Sequence, residues 1–111
     1  MTEIFNDLSK KLHVGGHKKV FHREIVMIIA DTNYSQVHLS NGKIICTSTN
    51  IGKIASRLTD FQNFKRVHRS YLINTDYLQA INGNIIILKN GLTCLVSRRR
   101  REGLERFTYS L

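Results

Sequence analysis

The sequence predicts an antiparallel, mainly β fold with one or two short helices. Short runs rich in Ile, Val, Leu and Tyr recur along the 111 residues, separated by Asn, Gly and Ser, a pattern typical of strands joined by tight turns. Only one stretch in the middle of the chain has apolar residues at helical spacing. A chain of this length is expected to fold as one domain around a single hydrophobic core.

The first element that we predict is a short amphipathic helix at residues 2–12, with Thr2 as its cap. Its apolar side consists of Phe5, Leu8 and Leu12. Gly15 and Gly16 are expected to end it, because glycine readily adopts the conformation that follows the last helical turn.

Four strands are predicted next, at residues 19–21, 25–30, 36–39 and 43–47. Between the last two lies Ser40-Asn41-Gly42. Asn and Gly both accept a positive φ, which tight hairpin turns require, so these two strands are expected to form a hairpin.

The spacing of the apolar residues then changes from that of a strand to that of a helix. Ile51, Ile54, Ala55 and Leu58 lie on one helical face, and Asn50 or Thr49 can cap the helix. After Phe64 the strands are expected to resume, at residues 70–73, 78–81, 85–89 and 92–96, with turns at Asn82-Gly83-Asn84 and Asn90-Gly91. A last short helix is predicted at residues 98–107, after Ser97 as cap.

Cysteine and histidine usage indicates neither a disulfide nor a metal site. Cys46 and Cys94 each lie in an apolar, strand-like run, so two buried, reduced thiols are expected. His13, His17 and His22 are loosely spaced, and no cysteine pair or HExxH motif accompanies them. No metal and no cofactor is therefore predicted.

Positive charge is the strongest global signal. The chain has 17 Lys and Arg against 8 Asp and Glu, a formal net charge of +9. Residues 61–101 contain eight of the cations and one acid, so this stretch alone has a net charge of +7. A concentrated field of this size attracts polyanions.

The positive charges of Arg98 to Arg101 fall in the first turn of the predicted last helix, where the helix dipole disfavours them. Cations in the first turn of a helix are unfavourable by roughly 0.3–1 kcal/mol each, which an anionic partner would offset. Arginine can pair its planar fork with phosphate or with guanine, so duplex DNA is the predicted partner, and composition alone leaves RNA open. A membrane surface would favour a longer basic amphipathic helix, and single-strand binding would favour exposed aromatic residues.

Other functional classes find little support. No apolar run is long enough to cross a bilayer, and the first residues lack the layout of a signal peptide, so a cytoplasmic protein is expected. No nucleophilic triad or phosphate-binding glycine loop has recognisable spacing. We therefore expect no enzyme, the alternative being a small nuclease that uses His68.

Two motifs resemble a known family. The segment HRSYLIN (residues 68–74), preceded by Phe64 and Arg66, and the later VSRR (residues 96–99) are similar to the LytTR family, the DNA-binding domains of bacterial LytR/AlgR-type transcription regulators. REIVMIIADTNYSQVHL (residues 23–39) resembles the first core strand of that family, its Asn-Tyr pair and the next strand. Residues 11–107 would then be the domain, residues 1–10 a linker or short helix, and residues 108–111 a tail.

The resemblance implies an elongated fold of several small antiparallel sheets, whose loops enter successive major grooves. Carried over by position, the base-reading residues would be Asn33, Tyr34, Arg69 and Arg99. The neighbouring phosphate contacts would be Arg66, His68, Ser70, Arg98 and Arg100. His68 has an alternative role, since it could orient its loop through a backbone hydrogen bond. Ala30, where many members have an acid, and Arg100-Arg101, where an aromatic or aliphatic residue is frequent, depart from the family pattern.

The resemblance also implies how such a domain is used. The expected partner is double-stranded DNA with paired repeats, bound by a homodimer that forms on the DNA, as the output domain of a two-component response regulator. The alternative is a nonspecific RNA- or nucleic-acid-binding module. Whether a receiver domain belongs to the same chain stays open.

Overall fold

The computed structural model describes residues 11–15, 18–97 and 99–100. Residues 2–10 of the predicted first helix lie outside this range. Lys11 and Leu12, the last two residues of the predicted helix, instead belong to a strand. The prediction is therefore wrong for these two residues.

The described part of the chain contains ten strands and one α-helix, α1 (Ile51–Arg57). The strands are β1 (Lys11–Gly15), β2 (Lys18–Phe21), β3 (Ile25–Asp31), β4 (Tyr34–Leu39), β5 (Ile44–Thr47), β6 (Phe64–His68), β7 (Tyr71–Asn74), β8 (Leu78–Asn82), β9 (Ile85–Leu88) and β10 (Thr93–Leu95). Two short 3-10 helices, His22–Glu24 and Thr75–Tyr77, lead into β3 and β8.

These strands form three antiparallel sheets. The largest has the order β5-β4-β3-β7-β6, a second has the order β10-β9-β8, and β1 pairs with β2. The mainly β, multi-sheet antiparallel architecture predicted from the sequence is confirmed. The molecule measures 39 × 37 × 24 Å along its principal axes, so it is extended in two directions and thin in the third.

The five-stranded sheet is covered on both faces, so the core has two parts instead of the single one expected. On one face, Ile28, Val37 and Leu72 pack against Ile54 and Leu58 from the α1 region. The other face packs against the three-stranded sheet, in a core made of Val26, Met27, Val67, Ile73, Leu78, Ile86, Leu88, Cys94 and Val96. Burial on both faces holds the strands of the central sheet in fixed register.

The capping residue and the spacing of apolar residues account for α1. Asn50 has an extended backbone, and its side-chain oxygen accepts a hydrogen bond from the Lys53 amide at 2.8 Å, as an N-cap does. Ile51 and Ile54 are buried, while Gly52 and Lys53 face solvent. The predicted helix is therefore confirmed, and of the two residues that could cap it, Asn50 and Thr49, the cap is Asn50.

Two predictions about strands and side chains are wrong. Phe64–His68 was treated as a cationic lead into a strand, but it is β6, an edge strand of the large sheet. Cys46 was expected to be buried, but β5 is the opposite edge strand and Cys46 is exposed on it, whereas Cys94 is buried. Both cysteines are thiols, as predicted. None of the helices in the part of the chain that the structure describes is long and apolar enough to span a bilayer.

Candidate nucleic-acid interface

The predicted contact residues gather at one end of the five-stranded sheet. There β3 ends and β4 begins, through the hairpin tip at residues 31–34. At the same end β6 passes into β7 through Arg69 and Ser70. The Ala30 amide donates to the Ser70 carbonyl at 2.8 Å, so the hairpin tip and the β6–β7 turn are direct neighbours.

A third segment completes this end. After β10 the chain runs alongside β6, where the Ser97 amide donates to the Val67 carbonyl at 2.9 Å. Arg100 Nη1 also donates to the Arg66 carbonyl at 3.3 Å. We call the surface formed by residues 31–34, 69–70, 97 and 99–100 the basic edge.

The two arginine-bearing segments meet at an open cavity. His68, Arg69, Ser97, Arg99 and Arg100 line a space of about 440 Å³. Arg69 and Arg99 lie thirty positions apart in the sequence, yet the structure brings them to one site. Two of the residues that the resemblance assigned to base reading therefore share one surface. Their roles in DNA binding remain predictions.

Arg69 and Arg99 are available to a ligand. Both are exposed, and neither side chain makes a hydrogen bond or ion pair with another of the described residues. Arg99 and Arg100 are helical, and the Arg100 amide donates to the Ser97 carbonyl at 3.1 Å. They fall within the helix predicted at residues 98–107, of which the structure describes only this pair. Arg98 and the remainder of that helix lie outside the described residues.

Arg66 and His68 lie in strand β6 and not in a loop, whereas the resemblance implied a domain that binds DNA with its loops. Arg66 turns its guanidinium back on its own chain, where Nε donates to the His68 carbonyl at 3.0 Å and Nη2 donates to the Arg69 carbonyl. Burial, and to a smaller degree the charge of Arg100, lowers the pKa of Arg66. Two guanidinium groups are thus held close together, which favours an anion beside them.

The geometry of His68 is compatible with both of the roles that the sequence left open. Its Nδ1 accepts a hydrogen bond from the Ser70 amide at 3.1 Å, which fixes the turn. A ring nitrogen that accepts carries no proton, so Nε2 is the remaining donor of the neutral ring. The ring lies 5.3 Å from that of Tyr71, measured between centroids. His68 can therefore hold the turn with one nitrogen and donate to a phosphate with the other.

The hairpin tip has an unusual backbone. Thr32 has a φ of 53° and is the one described non-glycine residue with a positive φ, a conformation that is strained for a β-branched side chain. Asn33 and Tyr34 follow it, both exposed, and Tyr34 is 58% exposed. Tyr34 therefore presents its ring to solvent and does not pack beneath the loop.

Sequence reasoning missed one neighbouring segment. The register pairs Ser35 with Thr47, and the Ser35 hydroxyl donates to the Thr49 carbonyl at 2.8 Å. Residues 47–49 therefore extend the basic edge beyond the hairpin tip, with Ser48 exposed. Counting back from the Asn41-Gly42 turn would have placed Thr47 opposite Ser35, so the signal was present in the hairpin pattern.

Within the described residues, no cluster of His, Cys, Asp and Glu could hold a metal ion. The chemistry of the basic edge is that of an anion-binding surface, with guanidinium, imidazole, hydroxyl and amide groups that can all donate hydrogen bonds.

Comparison with known proteins agrees with this geometry. The family model of the LytTr DNA-binding domain matches residues 16–108. Among solved structures, the fold is similar to the LytTr DNA-binding domain of a protein described as a methyl-accepting/DNA response regulator from Bacillus cereus. The TM-score is 0.69 at 16% sequence identity, over 88% of this chain and 94% of that one. No curated protein matches the chain. Because the family model covers most of its length, this chain belongs to the LytTr DNA-binding domain family.

Proposed function

We propose that this chain binds double-stranded DNA sequence-specifically, as the output domain of a bacterial transcription regulator of the two-component type. In this proposal the basic edge faces the duplex. Arg69 and Arg99 read bases in the major groove, together with the tip residues Asn33 and Tyr34. The family membership gives DNA binding, and the response-regulator origin of the similar Bacillus cereus domain supports the regulatory role.

One observation carries the base-reading part of the proposal. Arg69 and Arg99 line the same cavity and are exposed, and their guanidinium groups make no hydrogen bond or ion pair with another of the described residues. An arginine whose five donors are not used internally can present two of them to guanine O6 and N7. Two such residues on a stiff sheet end can address neighbouring bases, because the backbone that positions them is already ordered.

The flanking groups fit phosphate contacts. His68, Ser70 and Arg100 lie around the same site, and contacts of this kind fix affinity and register without reading sequence. The longest dimension of the molecule is 39 Å, and successive major grooves on one face of B-DNA are about 34–36 Å apart. One molecule is therefore long enough to reach two grooves, and we propose that two copies bind paired repeats, forming a homodimer on the DNA.

Selection from random duplexes with the purified chain tests the proposal. We expect an enriched motif that is bound at least ~10³-fold more tightly than unrelated duplex. Binding should weaken steeply with salt as phosphate contacts release counterions. If no motif is enriched, and RNA of the same length binds equally well, the chain is a nonspecific nucleic-acid-binding module and the proposal is wrong.

A further inference from the structure

The β6–β7 turn contains Arg69, and its two loop residues do not by themselves favour a standard hairpin turn. His68 pairs with Tyr71, which leaves Arg69 and Ser70 as a two-residue loop. The favoured two-residue hairpin turns need a positive φ at one or both loop positions, but neither Arg69 nor Ser70 has one. The turn must therefore be held by contacts from outside the loop.

An irregularity in β6 adds to this requirement. Arg66 pairs with Leu72 and His68 pairs with Tyr71, so Val67 is an extra residue opposite the β7 strand. Such a β-bulge bends the strand, increases its twist and re-aims the side chains that follow. The direction in which Arg69 projects thus depends on how the strand end is fixed after the bulge.

Every carbonyl of this turn has a donor, and one side chain supplies two of them. Arg66 Nε donates to the His68 carbonyl at 3.0 Å, and Arg66 Nη2 donates to the Arg69 carbonyl. The Ser70 carbonyl accepts from the Ala30 amide at 2.8 Å. Since a planar guanidinium fixes two acceptors in one rigid geometry, Arg66 bridges the bulged strand to the loop.

We propose that Arg66 is a positioning residue, which sets the orientation of Arg69 at the DNA through its two hydrogen bonds to the turn and is not itself a phosphate contact. This inference rests on the proposed function, because it assigns a role within that site. It differs from the expectation drawn from the resemblance, in which Arg66 binds phosphate by its charge. The two roles predict opposite results for a lysine, which keeps the charge but cannot form the fork.

The test is Arg66→Lys, measured on the selected duplex and on unrelated duplex over a range of salt concentrations. We expect about a tenfold loss on the selected duplex, comparable to the loss of one base contact. Binding to unrelated duplex, and the salt dependence, should stay as in the wild type because the charge is retained. Arg57→Lys, the same change near the end of α1, is the matched control and should leave both affinities unchanged.

A double-mutant cycle separates positioning from general damage. In an Arg69→Ala background, Arg66→Lys should cost almost nothing, because the side chain that it orients is gone. Wild-type affinity of Arg66→Lys on the selected duplex would overturn the proposal. So would an equal loss on both duplexes, or a full tenfold loss that persists without Arg69.

A measurement without DNA keeps this inference separate from the proposed function. Amide hydrogen exchange of Arg69 and Ser70 should accelerate in Arg66→Lys, while the amide of Ile28 in the core stays protected. Unchanged exchange in the turn would overturn the positioning role whatever the DNA data show. If the wild type lacked site preference but the turn still loosened, the proposed function alone would fail.

Discussion

The two ends of the molecule build their turns in different ways. At the end away from the basic edge, the turn between β4 and β5 closes itself. The Leu39 amide donates to the Lys43 carbonyl at 2.9 Å, and the Gly42 amide donates back to the Leu39 carbonyl at 3.0 Å. Gly42 has a φ of +89°, and the Asn41 side chain accepts from the Lys43 amide at 2.9 Å.

The turn between β9 and β10 repeats this arrangement. The Leu88 amide donates to the Leu92 carbonyl at 2.8 Å, and the Gly91 amide donates to the Leu88 carbonyl at 2.9 Å. Gly91 has a φ of +88°, and Asn90 accepts from the Leu92 amide at 3.0 Å. Both turns are thus specified by an Asn-Gly pair and its nearest neighbours.

The turns of the basic edge lack this local chemistry. Thr32 adopts a positive φ without being glycine or asparagine, and the Arg69-Ser70 loop depends on Arg66, His68 and Ala30. The comparison shows that the β4–β5 and β9–β10 turns each close through an Asn-Gly pair, whereas the β6–β7 turn is held by the side chains that precede it and by one hydrogen bond from the neighbouring strand β3.

The largest effect that distinguishes the two ends is expected for Arg99→Ala. It should lose about 1–3 kcal/mol on the selected duplex and relax the preference at one base pair. Fluorescence anisotropy with the selected duplex and its single-base variants measures both. Lys89→Ala, which removes a cation from the opposite end, is the control and should change binding by less than about 0.5 kcal/mol. An equal loss for Arg99→Ala on every sequence would contradict base reading.

Gly91→Ala should have the opposite effect to Arg99→Ala, because it should lower the stability of the fold and leave DNA binding unchanged. No atom lies within 4 Å of a Cβ added there, so the cost is conformational, and we expect the free energy of unfolding to fall by about 1–2 kcal/mol. Urea denaturation measures it. Gly42→Ala should give the same loss because its φ is nearly identical. The folded variants should bind the selected duplex as the wild type does, and weaker binding would show that the two ends are not independent.

The stability of the core between the two ends can be tested through its dependence on pH. Burial raises the pKa of the Cys94 thiol from its usual 9.0 to about 12. Above pH 9 the unfolded chain therefore loses a proton that the folded protein keeps, and stability falls as pH rises toward 12. The expected slope is about 1.4 kcal/mol per pH unit within this window. Urea unfolding at pH 8, 9 and 10 measures it, and Cys94→Ala should lack this component of the slope.

The smallest effect is expected at the hairpin tip. Thr32→Asn should raise the free energy of unfolding by about 0.5–1 kcal/mol, because asparagine tolerates a positive φ better than a β-branched residue does. Thermal and urea unfolding measure the gain, with Thr59→Asn as the matched control on an exposed site. A loss of stability would show that the Thr32 side chain has a supporting role that outweighs its strain.

The two ends also differ in how much of their structure the sequence predicted. The Asn41-Gly42 and Asn90-Gly91 turns and the Asn50 cap were predicted because each depends on neighbouring residues alone. The shared location of Arg69 and Arg99 came from the family resemblance, since no local rule relates residues that far apart. The hydrogen bond from the Ser97 amide to the Val67 carbonyl of β6 brings them together.

The wrong predictions also have physical causes. Strand β6 was missed because Lys65, Arg66 and His68 break the apolar alternation on an edge strand, where only Phe64 and Val67 are buried. Cys46 was expected inside because its neighbours are apolar, but the outer strand of a sheet leaves one flank open to water. The helix predicted through Lys11 and Leu12 followed an apolar period that extends into β1.

The contacts that Ser97 and Arg100 make with β6 have a further consequence. An open outer strand can recruit a strand from another molecule and so begin aggregation. Here the carbonyls of Arg66 and Val67 accept from Arg100 and Ser97, and the bulge at Val67 disturbs the flat pattern that an incoming strand would need. The segment after β10 therefore also protects this margin of the sheet from pairing with a strand of another molecule.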